Sequence, residues 1–128
     1  MRSRVKKTAV IIAGHGSRRA DFQKAMERVA LGLRNKSKFF GVTCAYLEVA
    51  SPSILEAIHN FANKGAEEIK VLPYFLLTGN HVEEDIPSIV QKARKEIGSK
   101  VQITLCPYLG YDEKIVALIQ KRLKERVR

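Results

Sequence analysis

Three residues in this chain have the type and the spacing to do chemistry together. His15 sits between glycines in Ala13-Gly14-His15-Gly16-Ser17-Arg18-Arg19, Glu48 closes an apolar run, and His81 ends the stretch Phe75 to His81. Thirty-three residues separate His15 from Glu48, and 33 more separate Glu48 from His81. Imidazole is a transition-metal ligand and a proton acceptor near neutral pH. Two imidazoles and one carboxylate form a borderline-soft donor set, better suited to a divalent transition metal than to Mg²⁺ or Ca²⁺. Three such ligands leave coordination positions open for a substrate. Plainer roles exist for each: a turn histidine bonded to its neighbour, an idle loop histidine, and a carboxylate favouring a helix N-terminus.

Other polar residues surround these three. Ser17, Arg18 and Arg19 open a helix, where backbone N–H groups and the helix dipole favour an anion, a phosphate or a carboxylate. Glu83 and Glu84 follow His81 closely and read as solvated carboxylates, with Asp85 as a helix cap. Tyr46, Tyr74, Phe75 and Leu76 can wall a site or fill strand core. His59 falls off the apolar stripe of its helix and reads as surface.

The elements that must position these residues alternate along the chain. Strands are expected at about Thr8–Ala13, Gly41–Leu47, Glu68–Tyr74 and Val101–Leu105. A helix starting near Arg19 or Asp21 repeats Phe22, Ala25, Met26, Val29, Ala30 and Leu33 at helical spacing. Ser51-Pro52 reads as an N-cap with proline at the first helical position. The helix it opens buries Ile54, Leu55, Ile58, Phe61 and Ala62 and stops at Gly65. Phe75 to His81 is a loop with a Gly79-Asn80 turn signal. The third helix, with Pro87 in its first turn, buries Ile86, Ile89, Val90, Ala93 and Ile97. A last helix from about Asp112 turns Ile115, Val116, Ile119 and Leu123 inward. Four βα units imply a parallel sheet with helices on both faces, a three-layer α/β/α domain. The expected order is flavodoxin-like, 2-1-3-4. Adjacent parallel strands lie about 4.8 Å apart, so His15, Glu48 and His81 emerge together at the carboxyl edge, where ligands bind in such sheets.

Composition narrows the classes. At 128 residues the chain has the length of a single domain, 1–128, with room for a core. No run approaches the roughly 18 apolar residues of a membrane span. Met1 to Lys7 is basic without a cleavage-site pattern, so no signal peptide is read. Cys44 and Cys106 have no Cys-x-x-Cys spacing and suit buried free thiols in a reducing cytoplasm. A net charge of +10 calls for an anionic partner or reflects heat-adapted surface. No nucleic-acid-binding motif accompanies it.

Four segments in order carry a family resemblance: Gly14-His15-Gly16-Ser17-Arg18, Glu48-Val49-Ala50-Ser51-Pro52-Ser53, Pro73-Tyr74-Phe75-Leu76-Leu77-Thr78-Gly79-Asn80-His81 and Asp85-Ile86-Pro87. Together they resemble the short-form sirohydrochlorin cobaltochelatases of the CbiX type, over about residues 8 to 124. The resemblance implies an ATP-independent class II chelatase that inserts Co²⁺ into sirohydrochlorin for cobalamin synthesis, with Ni²⁺ and Fe²⁺ inserted by relatives. It implies that His15 and His81 handle the metal, with Glu48 at the acidic ligand position. Ser17 and Arg18 would anchor substrate carboxylates, and Phe75, Leu76 and Gly79 would line the macrocycle site. No permanently bound cofactor is expected, the metal being substrate.

Sirohydrochlorin carries eight carboxylates, which fits electrostatic steering by a basic protein. Longer family members carry two such domains, so one domain implies a homodimer. Its expected interface lies near the His15 and His81 loops, with Phe75, Leu76 and Leu77 as contacts. Two other classes are distinguishable. A histidine phosphatase needs Arg directly before His-Gly, where this chain has Gly14. A non-catalytic metal or tetrapyrrole carrier would bind without turnover.

Overall fold

The computed structural model describes residues 5–127. Met1–Arg4, the start of the basic N-terminal stretch, and Arg128 lie outside the described residues. The strands are β1 (Thr8–Gly14), β2 (Gly41–Tyr46), β3 (Glu68–Pro73) and β4 (Gln102–Leu105). The helices are α1 (Ala20–Lys36), α2 (Ile54–Lys64), α3 (Ile86–Ile97) and α4 (Glu113–Leu123). The sheet is parallel with order β2-β1-β3-β4, as the alternating pattern predicts. β1 is central, and Ala9, Val10, Ile11, Ile12 and Ala13 are all buried. A strand covered on both faces is expected to be apolar without alternation.

The two faces are filled differently. Ile54, Ala57, Ile58 and Phe61 of α2 join Ile86, Val90 and Ala93 of α3 against Ala9, Ile11, Ala13, Ile69, Val71 and Ile103. On the other face α1 packs Met26 and Ala30 on Val10, Ile12, Val42 and Cys44. Of the six α1 residues expected inward, Ala25 and Val29 are exposed, because one helix over two strands contacts them along a narrow stripe. The edge strands are tied down alike. Arg34 donates through Nε and Nη2 to the Val42 carbonyl of β2, and Arg94 does the same to Ile103 of β4. Edge carbonyls closed this way are poor templates for a foreign strand.

Helix starts depart from the expected chemistry at two places. Ser53, not Ser51, caps α2: its Oγ accepts from the Glu56 N–H at 3.1 Å, and Glu56 Oε1 accepts from the Ser53 N–H at 2.9 Å. This reciprocal box satisfies two N-terminal amides, whereas Ser-Pro at 51–52 would satisfy one. Gly79-Asn80 is no hairpin-like turn. Asn80 is helical, and His81–Asp85 forms one wide turn in which the Ile86 N–H reaches the His81 carbonyl five residues back. That turn runs into α3, so Asp85 caps nothing with its side chain. The third departure is α4. Its start at Glu113 is capped by Asp112, whose Oδ1 accepts from Lys114 N–H. Yet Val116, Ile119 and Leu123, expected inward, are 41%, 53% and 80% exposed, and no α4 residue is buried.

Candidate functional site

The carboxyl edge of the sheet is held together by main chain before any side chain is considered. β1 and β2 keep bonding past their ends: Leu47 N–H donates to Gly14 and Glu48 N–H to the His15 carbonyl, at 3.0 and 3.1 Å. On the other side Tyr74 N–H donates to the Ala13 carbonyl at 2.7 Å. The loops after β1, β2 and β3 are thereby stitched in the strand order that the sequence implies.

The glycines beside His15 admit close packing. Both are buried. Gly16 has φ 97°, and a Cβ there would land on the Glu48 carbonyl; one on Gly14 would land on the Met26 side chain. The His15 loop can therefore lie directly against the Glu48 loop only with glycine at 16. Glu48 itself is held in a tight turn, its carbonyl accepting from Ala50 N–H at 2.8 Å. Between them Val49 sits at φ 56°, a conformation that a β-branched residue seldom adopts and that is typical of functional loops.

These constraints bring the three expected residues together. His15 Nε2 lies 2.9 Å from Glu48 Oε1, and its Nδ1 lies 3.0 Å from the Gly16 carbonyl. A carbonyl only accepts, so Nδ1 donates to Gly16, and the contact of Nε2 with the carboxylate is a hydrogen bond only when the ring carries a second proton there. The His15 and His81 rings are 4.8 Å apart, tilted by 53°. His81 Nδ1 lies 2.7 Å from Asp85 Oδ2, one helical turn along. With Nδ1–H given to Asp85, Nε2 of His81 is the lone-pair nitrogen, and it has no partner among the described residues. Sequence reasoning assigned Asp85 to capping; the i, i+4 spacing to His81 was the signal that could have found its role. Among the described residues no three His, Cys, Asp or Glu side chains already converge as a metal cage. The nitrogens and carboxylates are instead engaged pairwise.

The remaining expected residues divide. Ser17 Oγ accepts from Arg19 N–H, and its carbonyl accepts from Gln23, so the hydroxyl is engaged in starting α1. Arg18 is exposed with no partner among the described residues, whereas Arg19 forks onto Asp21. Phe75 is half-buried, its ring 6.1 Å from that of His81. Leu76 and Leu77 are exposed. Gly79 adopts no left-handed backbone and faces open space; its carbonyl accepts from Glu83 N–H. Glu83 is not simply solvated, since its Oε1 accepts from Thr78 Oγ1 at 2.6 Å. His59 is removed from the site and pairs with Glu96 across α2 and α3.

A cavity of about 350 Å³ at this edge is lined by Leu47, Glu48, His81, Asp85, Ser88 and Ile89. A larger one, about 800 Å³, lies at the opposite edge around Arg34, Lys38, Phe39 and Phe40. It contains none of the titratable groups just described, so size alone does not mark the site. Deep to the edge, burial pushes the Cys44 thiol and the Tyr46 phenol up to about 12, and both stay neutral at physiological pH.

Comparison with known proteins places this geometry in context. A family model described as CbiX matches residues 9–126. A Saccharolobus solfataricus protein named sirohydrochlorin cobaltochelatase is 34% identical over 122 residues, covering 91% of this chain and 93% of that protein. The chloroplastic sirohydrochlorin ferrochelatase of Arabidopsis thaliana is 31% identical over 115 residues, 90% of this chain but 51% of that one. The crystal structure of the sirohydrochlorin chelatase SirB from Bacillus subtilis subspecies spizizenii, in complex with cobalt, aligns with a TM-score of 0.85 at 28% identity. That alignment covers 92% of this chain and 50% of SirB. Against these last two proteins the chain spans about half the length.

Proposed function

The chain belongs to the CbiX family, and from that membership we propose that it is a sirohydrochlorin cobaltochelatase, inserting Co²⁺ into sirohydrochlorin without ATP. The observation that carries the reading is the pair of imidazoles 4.8 Å apart, each backed by its own carboxylate, at the carboxyl edge of the sheet. Metal insertion makes metal–nitrogen bonds, breaks two pyrrole N–H bonds and releases two protons. The site needs a donor for the incoming ion and acceptors for the protons.

His81 and His15 have separate parts in this scheme. His81 offers Nε2 as a lone pair, with Asp85 holding the ring and its tautomer through Nδ1–H, an arrangement that raises ligand basicity. The ion then draws in His15 Nε2, displacing its contact with Glu48, which becomes the third ligand or the acceptor of a pyrrole proton. Arg18 anchors a peripheral carboxylate, with Ser17 contributing through the helix start it builds. Phe75, Leu76 and Gly79 lie alongside the ring. The +10 charge steers an octacarboxylate toward the site.

We take residues 1–128 as one chelatase domain working as a homodimer. The 350 Å³ cavity is too small for a macrocycle with eight acidic arms. The exposed Leu76 and Leu77 beside it supply apolar contact for a second copy. The two free thiols, Cys44 and Cys106, suit a cytoplasmic protein, and among the described residues no helix is long and apolar enough to cross a membrane.

Iron is the second reading, favoured by the 31% identity to a ferrochelatase. The test is an absorbance assay of sirohydrochlorin with Co²⁺, Ni²⁺ and Fe²⁺ in turn. Fastest turnover with Co²⁺ is expected. Faster Fe²⁺ insertion would move the assignment to iron, and binding of sirohydrochlorin without turnover on any metal would make the protein a carrier.

A further inference from the structure

The cavity of about 800 Å³ at the amino edge takes no part in the site above, yet its lining is chemically one-sided. Arg34, Lys38 and Lys64 line it, and no Asp or Glu does. The cavity beside His81 is the reverse: Glu48 and Asp85 line it, and no Lys or Arg does. Like charges around a hollow act strongly on a ligand, because the low-dielectric walls focus their field. Part of the charge has a local use. Arg34 and Lys64 lie in the last turns of α1 and α2. Cations there offset the negative helix ends, which together amount to roughly one charge. Three cations exceed that, so the cavity stays positive.

The apolar part of the lining is anchored. Phe40 N–H donates to the Thr8 carbonyl at 2.8 Å, which ties the Phe39-Phe40 segment to β1. Both rings nevertheless stay 37% and 40% exposed. Phe61 lies directly on Gly41, where a Cβ would land on its ring. Arg34 is fixed as well: Nε and Nη2 are on the Val42 carbonyl, which leaves the Nη1 hydrogens for another acceptor. Lys38 and Lys64 have no partner among the described residues. Unpaired cations beside exposed aromatic rings match a ligand that is anionic at its rim and flat and apolar in its body.

We infer that the amino-edge cavity is a second ligand site, taking a flat macrocyclic polycarboxylate of the tetrapyrrole class. For the identity of the ligand the inference rests on the reading above, since sirohydrochlorin and its metallated form share this chemistry. Phe39 and Phe40 stack on the macrocycle, and Lys38, Lys64 and Arg34 Nη1 take its carboxylates. The volume lies within the roughly 300–1,000 Å³ of small-molecule sites. The rings line a hollow and do not crown a protruding tip, which favours a small molecule over a lipid surface. No metal chemistry takes place here, because no His, Cys, Asp or Glu lines the cavity. The site holds a macrocycle unchanged at the edge opposite His15 and His81.

The test follows backbone amide signals of the full-length ¹⁵N-labelled chain. It is titrated with metal-free sirohydrochlorin and, separately, with cobalt-sirohydrochlorin. Signals of residues 37–43 should shift, apart from any change at the His15 and His81 loops. Shifts with the metal-free form only would make this a substrate site, and with the cobalt form only a product site; either supports the proposal. Lys38→Gln with Lys64→Gln should weaken the binding read at residues 37–43 by about tenfold or more. The same variant should chelate at the unsubstituted rate when sirohydrochlorin is saturating. Phe40→Ser, which removes an exposed ring, should weaken the same binding with the amide spectrum otherwise preserved. Signals at 37–43 that move with neither ligand, or move equally in the lysine variant, would overturn the proposal. Lysine-dependent binding to phosphatidylglycerol vesicles with no tetrapyrrole shift at 37–43 would also overturn it, the face then being one for lipid. A chain that shows these shifts but chelates no metal would lose the chelatase reading and keep this site. Chelation without the shifts would do the opposite.

Discussion

At the residue scale the site works through fixed pairs. In the proposed scheme Asp85 fixes the orientation and tautomer of His81, so that Nε2 is the nitrogen left for a metal. Asp85→Ala should weaken Co²⁺ binding by about tenfold, since outer partners of ligating histidines typically have effects of that order. Asp85→Asn, which still accepts from Nδ1–H through its amide oxygen, should recover part of the loss. Metal titration followed by the His81 ring ¹⁵N shifts reads both, and equal loss in the two variants would exclude an orienting role. His15→Ala and His81→Ala should each lower chelation by about tenfold or more with the fold intact, because neither ring belongs to a core cluster. Gly16 is different in kind. Gly16→Ala puts a Cβ into the Glu48 carbonyl and a side chain on a left-handed backbone, so unfolding should become easier by on the order of 2 kcal/mol. Denaturant titration checks it, and an unchanged midpoint would show that the two loops can separate.

At the element scale, helix starts and buried strands set the stability. Ser53→Ala removes half of the α2 capping box and should cost about 1 kcal/mol. The strand β2 carries a pH signature. Cys44 and Tyr46 have folded values of about 12, above ordinary values of 9.0 and 10.0, because burial disfavours their anions. Above pH 9 the unfolded chain loses protons that the folded chain retains, so the unfolded state gains relative stability as pH rises toward 12. Stability should therefore fall along this alkaline limb, and Cys44→Ala should flatten its first part. Chemical denaturation between pH 8 and pH 11 reads the slope; equal slopes in the two proteins would remove Cys44 from the effect.

At the scale of the whole molecule, surface charge and the orientation of the sheet are what a substrate meets first. If the +10 surface steers an octacarboxylate, the association rate with sirohydrochlorin should fall as salt rises, because screening shortens the reach of exposed charges. Stopped-flow binding at low and high ionic strength tests it, and a salt-independent rate would mark the charge as ordinary surface. The orientation of the sheet matters equally. Its carboxyl edge gathers the polar residues, while the larger cavity at the amino edge holds none of the groups capable of metal chemistry.

The parts of this protein legible in the sequence are those that local pattern controls. An unbroken apolar run marks β1, shorter apolar-rich stretches mark β2 to β4, and helical spacing picks out the faces of α2 and α3, because burial on one side leaves a period in the chain. The alternation of the elements then implies the 2-1-3-4 order, and the order puts His15, Glu48 and His81 at one edge. Tertiary structure alone decided the rest. That Gly16 exists to admit the Glu48 carbonyl depends on a contact between loops 32 residues apart. That Asp85 serves His81 and not an amide depends on whether the chain is already helical before Ile86. The apolar stripe of α4 was visible, but a period says only which side of a helix must leave water. It does not say which surface receives that side, and in the structure no α4 residue is buried.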